Sequence, residues 1–401
     1  MFRVVVTTLV HQIREACSPV EKSPADVRRC YLLRRLAVLG LLGLGIQAAR
    51  AQTSDPVASP LPVAEVTPLP ARSVVYRTKS SDAIYDYKVN AAEVRRMVDD
   101  VVIGATGQSD VAAAWASLVK PSDVVGIKVC ANGAPLFSTH PEVVQPIIDG
   151  LRQAGVPSEN IIVWDRDAAL LKRAGFRFHK GGYRVMWNED NYDPKVALSS
   201  AVTGRLIYGD LLFVGKPRLR LKTELEGDEK EKRFSPVNMS NESHLSLILS
   251  KVVTKVVNVP VLSDNVYCGL SGALFNMTVQ NVDNWRRLID ERVRGDPDIA
   301  EMYADPRISE KVVLHVMDGL VALYAGAPFG DTNYAIQFGA VYASKDPVAL
   351  DTVAAKQLDG WRTQAKMDPA SKIAKYIQTA SQYQIGNSDL AKIEIRDSRN
   401  P

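Results

Sequence analysis

The sequence predicts an α/β protein of three layers, a mostly parallel sheet with helices on both faces and a charged β-hairpin insertion, and three observations carry that reading. From Val74 onward, short β-branched runs alternate with helical patterns, the signature of strands joined by crossover helices. The run Lys255 to Leu262 is rich enough in valine to be buried on both faces, as parallel strands are. A hydrophobic content of 46% with 23% charged residues suits a sizeable core and excludes disordered, collagen-like and multi-span membrane chains.

The elements follow in order. Ala91 to Ile103 and Asp110 to Val119 read as helices, and Pro121-Ser122-Asp123 punctuates before a strand over Val124 to Val129. Pro141 opens a helix through Leu151 that Ala154-Gly155 closes, and Ile161 to Trp164 is the next strand, completing a βαβ unit. Leu206 to Tyr208 and Leu211 to Val214 read as short strands. Leu219 to Phe234, turning at Gly227-Asp228, is the charged hairpin of an insertion over about 205–240. His244 to Ser250 is expected to be helical, Lys255 to Leu262, Val312 to Val316 and Tyr334 to Ala343 to be strands, Pro347 to Trp361 and Ser371 to Tyr383 to be helices, and Ile393 to Ile395 the last strand.

Ahead of this domain, at 74–401, stands a leader at 1–51 and a linker at 52–73. Arg34 and Arg35 precede the uncharged run Leu36 to Ile46 and then Ala49-Arg50-Ala51, the order of a secretory signal cleaved after Ala51. That run is shorter than the roughly 20 residues a membrane-spanning helix needs, so no permanent span is expected after cleavage. Arg28-Arg29-Cys30-Tyr31-Leu32 is similar to the twin-arginine export motif, without its usual Ser or Thr before the pair and Lys after the Leu. The expected location is periplasmic or secreted. Five prolines between Gln52 and Ser73 mark an extended tether. The formal charge of +4 belongs to the leader, which holds eight Lys/Arg against three acids, so nothing basic remains to suggest a nucleic-acid partner.

Cys17 and Cys30 leave with the leader. Cys130 and Cys268 alone cannot supply a four-thiolate iron–sulfur cluster or a Cys-only zinc site, although they could pair in an oxidising compartment. Ligands of open parallel sheets bind beyond the carboxyl ends of the strands, where strand order reverses. That rule selects Lys128, Cys130 and Asn132 after the first strand of the βαβ unit, Asp165 and Arg166 after the second, Asp264, Asn265 and Cys268 after the third, and Asp318 after the fourth. Lys128 sits in a strand that ought to be buried and so needs a carboxylate, with Asp165 the natural partner, or an anionic ligand. His140, at a helix start on the same sheet end, either reaches a ligand or simply caps. His179 and His315 match no zinc motif and read as plain surface or core residues. Glycine-rich Gly269 to Ala273 is not a dinucleotide fingerprint, and no phosphate-cradling loop or Gly-x-Ser-x-Gly elbow is present.

Four segments together resemble the family grouped as domain of unknown function 362, whose members are often labelled uncharacterised iron–sulfur-centre proteins. They are Val125 to Asn132; His140 to Val144 with Gly155 and Ile161 to Asp165; Val257 to Leu262 continuing to Gly272-Ala273-Leu274 and Asn276; and Met317-Asp318-Gly319 with Ser344 to Asp351. Where the family usually has Lys and then Asp-His, this chain has Ser263, Asp264 and Asn265, and Phe275 replaces a Lys before Asn276. A cationic cluster has become neutral, and the cysteine-rich ferredoxin-like segment of some members is absent. The sheet's carboxyl edge is expected to bind a small polar or anionic molecule, with Lys128, Asn132, His140, Asp165, Asp264, Asn265, Asn276 and Asp318 as ligand-binding candidates, and the family label implies a redox or metal-linked pathway. The alternative is an oxidoreductase or metal-dependent enzyme using Cys130, Cys268 and the edge aspartates. The ligand, the metal or cofactor and any protein partner are not written in the sequence.

Overall fold

A computed structural model of the chain describes residues 70–177, 182–189, 191–198, 213–214, 239–240, 243–283, 285–289 and 293–397. The leader, the linker as far as Leu69, His179 and the hairpin expected over Leu219 to Phe234 lie outside them. Among the described residues no helix is long and apolar enough to cross a membrane. Thr67–Pro401 forms one compact unit.

Ten strands build one sheet. They are β1 (Ser73–Lys79), β2 (Val125–Val129), β3 (Ile161–Asp165), β4 (Arg184–Trp187) and β5 (Lys255–Val259). Then come β6 (Val261–Asn265), β7 (Gly269–Leu270), β8 (Val312–Leu323), β9 (Ala335–Ser344) and β10 (Ile393–Asp397). Their order is β10-β1-β9-β8-β5-β2-β3-β4, with β6 paired to β7 and to the far half of β8. The block β8-β5-β2-β3-β4 is parallel throughout, and β9 runs antiparallel to both of its neighbours.

Alternation along the strands feeds two cores. Val125, Ile127, Val129, Ile161, Val163, Val257 and Val259 face one layer, made by α1 (Ala91–Thr106), α2 (Val111–Ala116), α3 (Pro141–Gln153) and α4 (Ala168–Arg173). Ile162, Trp164, Val256 and Met317 face the other, made by α5 (Ala273–Met277), α6 (Asp298–Tyr303), α7 (Pro306–Ser309), α8 (Pro347–Gln364) and α9 (Tyr376–Gln382). Helices that precede β5 thus cover one face and those that follow it cover the other, which is how a sheet hides both sides. In α1 the buried Val94, Met97, Val98, Val101 and Val102 recur at helical spacing, Asn90 accepts from the Glu93 amide at the start, and Gly107 at φ +68° ends the helix. Gly126 of β2 lacks a side chain because the Trp164 ring occupies that space.

Three expectations are corrected. His244 to Ser250 is a strand, His244–Ser246, paired with Tyr192–Ala197, followed by a π-helical turn; strand pairing overrides its helical pattern. Lys255 to Leu262 is two strands, because Pro260 has no N–H to continue the ladder. The helix expected over Ser371 to Tyr383 is a 3-10 turn at Ala370–Lys372 and then α9.

Candidate functional site

The strands wind from β2 to β3 and β4 towards one edge and then from β5 to β8 towards the other, so the direction reverses between β2 and β5. At that point the sheet parts. Lys255 to Val259 pairs with both β2 and β8, but beyond Pro260 the chain pairs only with β8 on this side, Val261 against Asp318 and Ser263 against Leu323. Thr139 closes the floor: its hydroxyl accepts from the Cys130 amide at 2.9 Å and donates to the Val259 carbonyl at 2.8 Å. The cleft above is lined by Cys130, Asn132, Phe137, Ser263, Ser271 and Pro328 among others, and holds about 240 Å³ with its open mouth included. Its enclosed part has room for about one water, so a ligand would lie mostly in the open mouth.

The predicted residues fall into three groups around it. Cys130 and Asn132 line the cleft itself, and the Asn132 side chain makes no hydrogen bond to other described residues.

Lys128, Asp165 and Asn276 lie beneath, fully buried and bonded to one another. Lys128 Nζ donates to Asp165 Oδ1 at 2.6 Å, to the Val129 carbonyl at 2.8 Å and to Asn276 Oδ1 at 3.1 Å. An ammonium has three protons, so none is left for a ligand. Asp165 Oδ2 accepts from the Ala131 amide at 2.7 Å. The register puts Lys128, Asn258 and His315 side by side on β2, β5 and β8, one polar residue per strand on the same face. Asn276 donates to Asn258 Oδ1 at 2.8 Å, and Asn258 Nδ2 bonds the Ala273 carbonyl and His315 Nδ1, both at 2.9 Å. This polar row fastens α5 to the sheet. Burial drives the His315 pKa down to about 3, so the ring is neutral, with Nδ1 accepting and Nε2–H donating to Tyr303 Oη at 3.1 Å.

The third group braces the walls. Asp318 Oδ2 accepts from the His140 amide and lies 2.8 Å from His140 Nδ1, while Oδ1 accepts from the Leu320 amide, tying the start of α3 to β8. Burial alone would lower the His140 pKa, but the Asp318 charge and hydrogen bond, with Glu142, carry it above its ordinary value. Asp264 Oδ1 accepts from the Ala327 amide at 3.0 Å and Oδ2 lies 3.6 Å from Arg362 Nη1, which anchors the Ala327-Pro328 wall. Burial pushes the Asp264 carboxyl up to about 6 against the pull of the Ala327 amide and Arg362. Asn265 accepts from the Tyr267 and Cys268 amides and donates to Ser271 Oγ, so it shapes the turn that presents Ser271.

Both cysteines are free and buried. Cys268 belongs to the core layer around α5 and α6, whereas Cys130 lines the cleft, and the disulfide allowed by the sequence is not formed. Burial, with the charge of Asp165, raises the Cys130 thiol to about 12, and burial raises Cys268 further. Burial thus favours the protonated thiol in both, whereas the reactive form is the thiolate. Among the described residues no group of three or more His, Cys, Asp and Glu is placed to hold a metal.

Sequence reasoning passes over Asn258, Thr139 and Asp351. A polar residue inside a valine run is the available signal for Asn258, because a buried amide must find partners. Asp351 accepts from the Ala273 and Leu274 amides at 2.6 and 3.0 Å, and its carboxylate fills the space where a side chain on Gly272 would stand.

Fold and site together define a doubly wound α/β protein with a small cleft where its sheet parts. The model of the family described as domain of unknown function (DUF362) matches residues 222–356, about a third of the chain. The segments around Val257 to Asn276 and Met317 to Asp351 fall inside the match; those around Val125 to Asp165 precede it. No curated protein matches the chain. A crystal structure of a protein from Thermotoga maritima is similar at 11% identity and a TM-score of 0.36, over 75% of this chain and 60% of that one. The chain therefore spans less than two thirds of that neighbour.

Proposed function

We propose that this is an exported binding protein for a small polar or anionic molecule, held in the cleft between the end of β2 and β6. One observation carries the reading: the parting of the sheet at Pro260 opens a cleft at the reversal of strand order, where doubly wound sheets bind their ligands. Asn132, Ser263 and Ser271 supply donors and acceptors there, and the buried row beneath keeps the floor fixed. Lys128 and Asp165 support the cleft, because their charges are spent on each other.

The test compares the full chain with Asn132→Leu in thermal-shift titrations against amino acids and hydroxy acids. Asn132 has no hydrogen bond to other described residues to lose, so the variant should melt like the parent while losing the ligand-induced rise in Tm. An equal rise in both proteins would place binding elsewhere. No rise with any probe in the parent would remove the reading for these ligand classes.

A further inference from the structure

A second polar cluster lies one strand further out, at the carboxyl ends of β3 and β4. Arg166 follows β3, and its guanidinium stands 4.1 Å from the centroid of the Trp285 ring; that of Arg286 stands 4.9 Å from the same centroid. The two charges are thus at most about 9 Å apart, the sum of those distances, on one indole. Arg166 Nη1 is buried with no hydrogen-bond partner.

The neighbouring carboxylates are committed to other groups. Asp165 holds Lys128 and the Ala131 amide, Asp167 caps α4 through the Leu170 amide, and Asp283 holds His244. Among the described residues neither guanidinium has a carboxylate at salt-bridge distance. Asp165 and Asp167 act on Arg166 only at longer range, while Arg286 opposes it, so an anion placed between the two guanidiniums would relieve their repulsion.

The acceptors left over nearby say more about that anion. Asn188 follows β4 beside Arg166: its amide donates to the Asp165 carbonyl, and the Glu189 amide donates to the Arg166 carbonyl. Asn188 Nδ2 is spent on the Gln280 carbonyl and Asn281 Oδ1, but Asn188 Oδ1 and Gln280 Oε1 are buried and unpartnered. An unmatched donor beside two unmatched acceptors is the complement of an oxyanion that also carries a hydroxyl.

We propose that Arg166, Arg286, Asn188 and Gln280 form an anion site for a hydroxyl-bearing oxyanion, of which hydrogen phosphate is the simplest. The guanidiniums take the charged oxygens and one of the two amide oxygens takes the single P–OH proton. The site stands independently of the cleft.

Isothermal titration of the full chain with inorganic phosphate and with sulfate, at matched ionic strength near pH 7.5, tests it. Phosphate should bind saturably and at least about tenfold tighter than sulfate, which has no proton to offer the amide oxygens. Arg166→Gln should weaken phosphate by about tenfold or more, and Arg166→Lys should fall between, keeping the charge and losing the fork. Arg286 is exposed and makes no hydrogen bond to other described residues, so Arg286→Gln folds in any case and should weaken phosphate several-fold. Asn132→Leu in the cleft should leave phosphate affinity unchanged. The proposal is overturned by no saturable phosphate binding up to about 20 mM, a weak range even for a transient ligand. Affinity unchanged in Arg286→Gln, sulfate binding as tightly as phosphate, or loss of phosphate in Asn132→Leu would each overturn it too.

Discussion

Replacing Lys128 by Met keeps most of the side chain's volume and deletes its charge. Three hydrogen bonds go, to Asp165, the Val129 carbonyl and Asn276, and Asp165 is left buried with the Ala131 amide as its remaining partner. The side chains of Lys128 and Asp165 are 0% and 3% exposed, so water cannot replace what is lost. Removing one member of such a pair costs about 3–5 kcal/mol. For a unit the size of Thr67–Pro401, about 1.5 °C of Tm per kcal/mol gives a fall of about 4–7 °C. Adding Asp165→Asn removes the stranded charge, so the double variant should lie above the sum of the single losses by about 1–3 kcal/mol. Calorimetry and urea melts of the four proteins measure this. A Lys128→Met protein that melts within about 1 °C of the parent would refute the reasoning, and strict additivity would refute the coupling.

His140 binds its proton more tightly folded than unfolded, so its contribution to stability is complete below about pH 6.5 and is lost as pH rises through its folded value. Urea midpoints between about pH 5.5 and 8.5 should show that fall in the parent and lack it in His140→Gln; equal slopes would contradict the Asp318 pairing. Cys130 and Cys268 should resist thiol reagents at neutral pH until urea is added, and rapid labelling of either would favour a redox role. Mature protein should begin at Gln52, outside the cytoplasm, and Arg28→Lys with Arg29→Lys should block export; normal export of that variant would assign the general secretory route.

Much of the sheet was readable because its strands are buried on both faces. Val124 to Val129 and Ile161 to Trp164 differ from β2 and β3 by one residue at an end. Lys128 and Asp165 could be paired from sequence since each sits at the end of a strand in the same βαβ unit. Asp264 and Asn265 could not be placed, because their side chains turn to Ala327, Arg362 and Ser271, groups with no fixed sequence offset from them. The parting of β5 from β6 hides within one valine run, with Pro260 as its single sign. The strand over His244–Ser246 is set by its partner, not by its own pattern.

Pro260 has a mechanical consequence. Its carbonyl accepts from the Asp318 amide at 2.8 Å, so the bend is pinned on one side, and its ring offers β2 no donor on the other. The two strands cannot zip shut when the cleft is empty. The aperture is therefore set during folding instead of on encounter, and a guest of the right size spends none of its binding energy prising the walls apart.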